Sequence, residues 1–315
     1  MNAVSDVKQD MREAMIASFL GAVERDVDLM TVVSDSTSTS KIGPFKDKYP
    51  DRVINVGIAE QTLVGVAAGL ALGGHVAVTA NAAPFLIARS NEQVKNDVCY
   101  SNTNVKLVGL YAGVGYGPLG ATHHAIDDIS IMRGLGNIQI FAPSDAIEAG
   151  QVFDYAIGYD GPVYIRLDSA ALPHVHAADY HFEPGRPDVL RRGDDCVIVA
   201  LGSVVHEAVD AAKALAEDGV SVGVVSLPSI RPLDTDAYAD ILKDYRHVVT
   251  VEEHSVHGAL GSLTAEIIVE RQLGLKLKRL GFPEGQFSKA GPRADIRRYY
   301  KIDANGIIET IRAVG

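Results

Sequence analysis

Apolar and polar positions along the chain fall into alternating blocks that read as strand, then helix, then strand. Residues 10 to 25 place Met11, Ala14, Met15, Phe19 and Val23 on one face, which predicts an amphipathic helix. Leu29 to Val33 predicts a strand, followed by the hydroxyl-rich loop Ser34 to Ser40. The β-branched run Val53 to Val56 is closed by Gly57. Val64 to Leu72 is small, apolar and helical in content, and Gly73-Gly74 ends it. Glu60 therefore sits where a strand hands over to a helix, the end of an open α/β sheet at which ligands bind. Gly65, Ala67, Ala68, Gly69 and Ala71 make that helix too small-sided for an ordinary surface helix and suit close approach by another backbone.

The rhythm continues with a strand at Val76 to Thr79, a helix from about Pro84 to Val98 and a strand at Val105 to Leu110. A glycine-rich loop, Ala112 to Gly120, runs into Ala121-Thr-His-His-Ala-Ile-Asp-Asp128. Strand Ile138 to Phe141, helix Ser144 to Ala156 and strand Val163 to Leu167 follow. Apolar strands alternating with helices predict a parallel sheet covered on both faces. Ser169 to Arg192 breaks the pattern. Its histidines, His174, His176 and His181, lack a metal-ligand spacing, so the segment reads as a solvated linker with no metal site. The alternation then restarts: strand Cys196 to Leu201, helix Val204 to Ala216, strand Val220 to Ser226, helix Thr235 to Leu242, strand His247 to Glu252, helix Gly258 to Glu270, strand Leu275 to Leu280 and helix Asn305 to Val314. The expected fold is α/β with two domains, each a mostly parallel sheet flanked by helices. The expected bounds are 1–175 for the first domain, 176–192 for the linker and 193–315 for the second domain.

Composition narrows the function classes. A chain of 315 residues, 47% hydrophobic, can build two cores. Its net charge of −11, with no Lys/Arg cluster, argues against nucleic acid or an anionic membrane as partner. Cys99 and Cys196 lie in apolar runs and read as buried, reduced thiols. No apolar run reaches the ~18 residues of a membrane span, and the polar, mixed-charge start, Met1 to Arg12, is unlike a signal peptide. A cytoplasmic globular protein is expected.

Several residues stand where chemistry would be done. Glu60 is either a first-turn acid that complements the helix dipole or a site carboxylate. Asp35, in the loop after a strand, is either in a solvated turn or beside an anionic ligand. Phe85 taken alone reads as core, and Arg89 as either a site cation or a solvated helix charge. His123 follows glycines that permit tight turns, where a histidine can donate hydrogen bonds or carry protons near neutral pH. Arg166 ends a strand, where its fork suits a phosphate or a salt bridge.

The stretch Asn55-Val-Gly-Ile-Ala-Glu60-Gln resembles the signature of the transketolase pyrimidine domain, shared with deoxyxylulose-phosphate synthase and the β subunits of 2-oxoacid dehydrogenases. The resemblance covers nearly the whole chain and implies a pyrimidine-binding domain followed by a transketolase C-terminal domain. It implies that Glu60 holds the aminopyrimidine ring of thiamine diphosphate, sharing a proton with it, that Phe85 packs on that ring and that Asp35 lies near the thiazolium side. Arg89 joins these as a cofactor-site residue. His123 and Arg166 would meet the substrate, Arg166 through its phosphate.

Three positions depart from the family pattern. Asn91 replaces a usual aromatic, Tyr111 a usual histidine and Leu119 a usual aspartate. Leu119 cannot accept a hydrogen bond from a substrate hydroxyl, which points away from ordinary pentose phosphates toward an unusual anionic ketose, branched or sulfonated. The family's Gly-Asp-Gly motif, whose oxygen ligands hold Mg²⁺ and the diphosphate, is absent. The chain thus resembles the C-terminal section of a split transketolase. An N-terminal-section partner would supply the other half of the site, in a heterotetramer of two plus two. The alternatives are an E1 β subunit of a 2-oxoacid dehydrogenase complex or a catalytically inactive partner subunit.

Overall fold

The structure, a computed structural model, describes residues 7–314. The first six residues of the polar N-terminus, and Gly315, lie outside the described residues. The first helix spans Met11–Glu24, with the Asp10 side chain accepting from the Arg12 amide as its cap. Its apolar face, Met11, Met15, Phe19 and Ala22, is fully buried against Leu29, Val33, Phe45 and Phe153.

The first sheet is seven-stranded. Its order is Ser229–Arg231, Gln139–Phe141, Val163–Arg166, Val105–Leu110, Val76–Ala82, Leu29–Val33 and Val53–Asn55. All neighbours are parallel except the first pair. Side chains alternate between two cores, as the period of a strand requires: Val32, Ala77 and Leu107 enter one, Val33, Val78 and Val108 the other. The second sheet is five-stranded, in the order Lys276–Phe282, His247–Ser255, Cys196–Leu201, Val222–Ser226 and Asp188–Arg191, with only the last strand antiparallel. Both cysteines are free and buried, and burial pushes each thiol up to about 11. Among the described residues no helix is long and apolar enough to cross a membrane.

Four features differ from the sequence reading. The helix expected over 84–98 is broken into Ala83–Arg89, a single turn at Asn91–Gln93 and a π-type segment, Val94–Tyr100. At the break the Ser90 hydroxyl donates back to the Leu86 carbonyl, offering the backbone an alternative to the helix ladder. The expected solvated linker is solvated only in part: Ala177, Ala178, Asp179 and His181 are exposed, but Ala171–Pro173 pairs with Lys8–Asp10, Phe182 joins the first core, and His176 is buried among carboxylates. The short strand Ser229–Arg231, between Pro228 and Pro232, leaves the second domain to extend the first sheet. Finally, the charged segment Arg293–Tyr299 forms a helix.

Candidate active site

Glu60 is the first residue of the helix Glu60–Leu72, just beyond the strand Val53–Asn55. Two polar side chains shape the turn before it. Ser34 Oγ donates to the Gly57 carbonyl at 2.7 Å and accepts from the Ala59 amide at 2.9 Å. Asn55 Oδ1 accepts from the amides of Asp35 and Gly57, each at 3.0 Å. The ends of two neighbouring parallel strands are thereby tied together, and Asp35, exposed with φ +52°, is presented beside the turn that carries Glu60.

The Glu60 side chain is only 3% exposed. Its Oε2 accepts from Arg89 Nη1 at 2.6 Å, and its Oε1 faces Asn81 Nδ2 at 3.4 Å. Arg89 itself is 49% exposed, so its end can swing away into solvent. The Arg89 guanidinium lies 5.0 Å from the centre of the Phe85 ring, a cation–π distance. Phe85 meets the His123 ring edge-on at 5.2 Å. His123 Nδ1 pairs with Thr122 Oγ1 at 3.0 Å, and the ring also meets Tyr116 edge-on at 5.7 Å. Tyr116 stacks on Tyr111 at 4.2 Å, and burial raises its phenol above the ordinary range, so it stays a neutral donor. Arg12 Nη1 donates to the Tyr111 hydroxyl at 3.1 Å while Asp10 holds the same guanidinium. Five residues singled out in the sequence, Glu60, Arg89, Phe85, His123 and Tyr111, thus form one continuous row. Asn81, Tyr116 and Arg12 belong to it and were missed. Asn81 lies beyond the expected end of its strand, and Arg12 reads locally only as the polar face of a helix.

The glycine-rich loop carries the row's far end. Gly113 (φ +64°) leaves no room for a side chain: an added Cβ would sit 2.5 Å from Glu253 Oε1. Gly117 (φ +42°) is similarly close to the Gly291 carbonyl, at 2.7 Å. Leu119, 55% exposed on the turn Gly117–Leu119, is not part of the row.

Arg166, read from sequence as holding either a phosphate or a salt bridge at its strand end, is 4% exposed, and its guanidinium is bonded in the interior. Its Nε donates to Asp128 Oδ2 at 2.9 Å, and its Nη2 to the carbonyls of Ala125 (3.1 Å) and Glu253 (2.9 Å). The physical reason is that the second domain packs over this strand end. A buried charge network crosses the same boundary. Arg293 bonds Asp168 and Glu253, and Arg297 bonds Glu253 and Ser203. Burial would raise the Asp168 carboxyl, but the Arg293 charge outweighs it and holds it well below its ordinary range.

A buried carboxylate beside a half-buried aromatic ring can bind one edge and one face of a flat, nitrogen-containing heterocycle. That donor set fits half of an aminopyrimidine site. Among the described residues no group of three or more His, Cys, Asp or Glu side chains is placed to hold a metal ion.

Comparison with known proteins shows the family. The family described as "Transketolase, pyrimidine binding domain" matches residues 7–174, and "Transketolase, C-terminal domain" matches residues 185–307. The chain is 58% identical over 301 residues to a subunit of the apulose-4-phosphate transketolase of Actinobacillus succinogenes, covering 96% of this chain and 97% of that protein. It is 31% identical over 317 residues to a 6-deoxy-6-sulfo-D-fructose transketolase subunit of a Clostridium species, covering 100% and 98%. A solved structure described as a split gene transketolase, an inactive beta4 tetramer, superposes with a TM-score of 0.86 at 34% identity, covering 97% of this chain and 98% of that one.

Proposed function

The chain belongs to the transketolase family, matched over that family's pyrimidine-binding and C-terminal domains, and we propose that it is the second chain of a two-chain, thiamine-diphosphate-dependent transketolase. In this reading the enzyme moves a two-carbon ketol unit from an anionic ketose to an aldose. A partner chain contributes the diphosphate and Mg²⁺ half of the site, in an assembly of two plus two. The observation that carries the reading is the buried Glu60 carboxylate at a strand-to-helix handover, with Phe85 and His123 in a row beside it. The missing Gly-Asp-Gly motif supports the need for a partner. So does the likeness to a chain described as inactive when assembled as a beta4 tetramer. The relative at 58% identity makes apulose 4-phosphate the first donor to test, and a sulfonated ketose the second.

Thiamine diphosphate, when bound, supplies the electron sink for cleaving a bond next to a carbonyl. The rest of the work falls to this chain. Glu60 would hold the pyrimidine ring through a shared proton, with Arg89, now bonded to its carboxylate, beside it. Burial of the carboxylate keeps water from competing for that proton. Phe85 offers a ring face to the pyrimidine, and Asp35 sits at the adjoining strand end. Thr122 occupies His123 Nδ1, which leaves Nε2 to meet a substrate oxygen. Tyr111, just before the glycine-rich loop, and Leu119, on it, are the residues assigned to substrate choice in this reading.

The test is to purify this chain with a partner carrying Gly-Asp-Gly and to measure ketol transfer from apulose 4-phosphate to a panel of aldoses. Glu60→Gln keeps the shape but not the proton, and should lower kcat by roughly 10²–10⁴-fold while the two-chain assembly persists. Near-wild-type turnover in that variant, or robust transfer by this chain alone, overturns the reading.

A further inference from the structure

The loop that bears His123 is gripped from the second domain. Glu253 Oε1 accepts from the Val114 amide at 2.8 Å. The Gly291 amide donates to the Gly117 carbonyl at 3.3 Å. His124, next to His123, spans both sides of the boundary: its Nε2 lies 3.0 Å from the Gly117 carbonyl and its Nδ1 lies 2.6 Å from Ser288 Oγ. His124 and Ser288 are both buried, while Phe287, one residue before Ser288, is 86% exposed. The segment from Ser288 to Gly291 therefore turns its hydroxyl inward onto the loop.

The protonation pattern of this contact follows from its partners. Burial lowers the His124 pKa below its ordinary value, so the ring is neutral at neutral pH. A carbonyl can only accept, so Nε2 carries the hydrogen and donates to Gly117. Nδ1 must then accept, and the Ser288 hydroxyl is the donor. Removing that hydroxyl leaves a buried acceptor unpaired.

We propose that Ser288 and His124 are positioning residues, a clasp by which the C-terminal domain sets where His123 meets the substrate. The inference rests on the reading of His123 as a substrate contact. Neither clasp residue touches the reacting atoms. The clasp acts by holding the backbone of residues 113–124 in one conformation, from which a displacement of about 1 Å is enough to slow chemistry up to about a hundredfold.

The experiment uses the reconstituted two-chain enzyme with Ser288→Ala, His124→Ala and the double variant. Amide hydrogen exchange is read over residues 112–124, together with kcat, KM and the thermal midpoint. The expected result for Ser288→Ala is faster exchange confined to that loop. A fall in kcat of about tenfold should accompany it, with a much smaller change in the donor KM and only a small drop in the midpoint, the cost of the unpaired acceptor. The double variant should lose no more than His124→Ala alone, because both changes break one contact. Unchanged loop exchange in Ser288→Ala, or losses that multiply in the double variant, overturns the clasp. If the wild-type pair transfers no ketol unit, the proposed function falls, and the exchange measurement still decides whether the clasp exists.

Discussion

His176 provides the most demanding test of how the two domains are joined. It lies at the start of the segment between them, with Nδ1 3.0 Å from Asp145 Oδ2 and Nε2 3.0 Å from Asp188 Oδ2. Glu148 Oε1 is 3.8 Å from the same Nε2, and the Tyr180 ring covers the imidazole at 3.9 Å. Asp145 also caps the helix Ala146–Gly158 of the first domain, while Asp188 opens the edge strand of the second sheet. Burial opposes the charged imidazolium, but the hydrogen bonds to Asp145 and Asp188 and the nearby Glu148 outweigh it and push the pKa up to about 10.

In His176→Gln the size is kept and the charge lost, leaving buried carboxylates facing one another. Breaking a buried ion pair by removing one partner costs about 3–5 kcal/mol. Asp188 is partly exposed, which places the expected loss near the lower end, about 3 kcal/mol. A group whose pKa rises on folding contributes stability below its unfolded value, near 6.5, and loses it as pH climbs through the folded value. The difference between wild type and variant should therefore be full at pH 6, still large at pH 7 and nearly gone at pH 10. Urea unfolding at fixed chain concentration measures it at each pH. A difference under about 1 kcal/mol at pH 7, or one that does not shrink toward pH 10, refutes the assignment of a buried charge to this histidine.

Arg166→Ala should destabilise the fold by about 3–5 kcal/mol, because it strands Asp128 in the interior. A variant of wild-type stability with a raised KM for an anionic donor would show instead that Arg166 reaches the substrate. Leu119→Asp should leave stability within about 0.5 kcal/mol, since the side chain is exposed. It should also shift the ratio of kcat/KM toward α-hydroxyaldehyde acceptors such as ribose 5-phosphate. An unchanged ratio would place recognition of that hydroxyl elsewhere.

Local pattern was enough to determine most of the alternation of strands and helices, the two mostly parallel sheets and the place of Glu60 at a strand-to-helix handover. A β-branched run, a glycine and a small-residue helix leave few choices over a dozen residues, and those choices depend only on neighbours in the chain. The same was true of the glycine-rich loop and of His123 on it. What local pattern could not determine was which side chains meet and how deep they lie. Arg12 reaches Tyr111 across 99 positions of sequence, and Asp168 reaches Arg293 across 125. Arg166 is placed at its strand end by periodicity. Its burial comes from the second domain closing over it, and periodicity carries no information about that domain. The strands Ala171–Pro173 and Ser229–Arg231 are three residues each, too short to show a period, and exist because distant strands offer them hydrogen-bond partners. His176 turned from a solvated linker residue into a buried cation for the same reason. Its surroundings are carboxylates from elements that only the tertiary fold brings together.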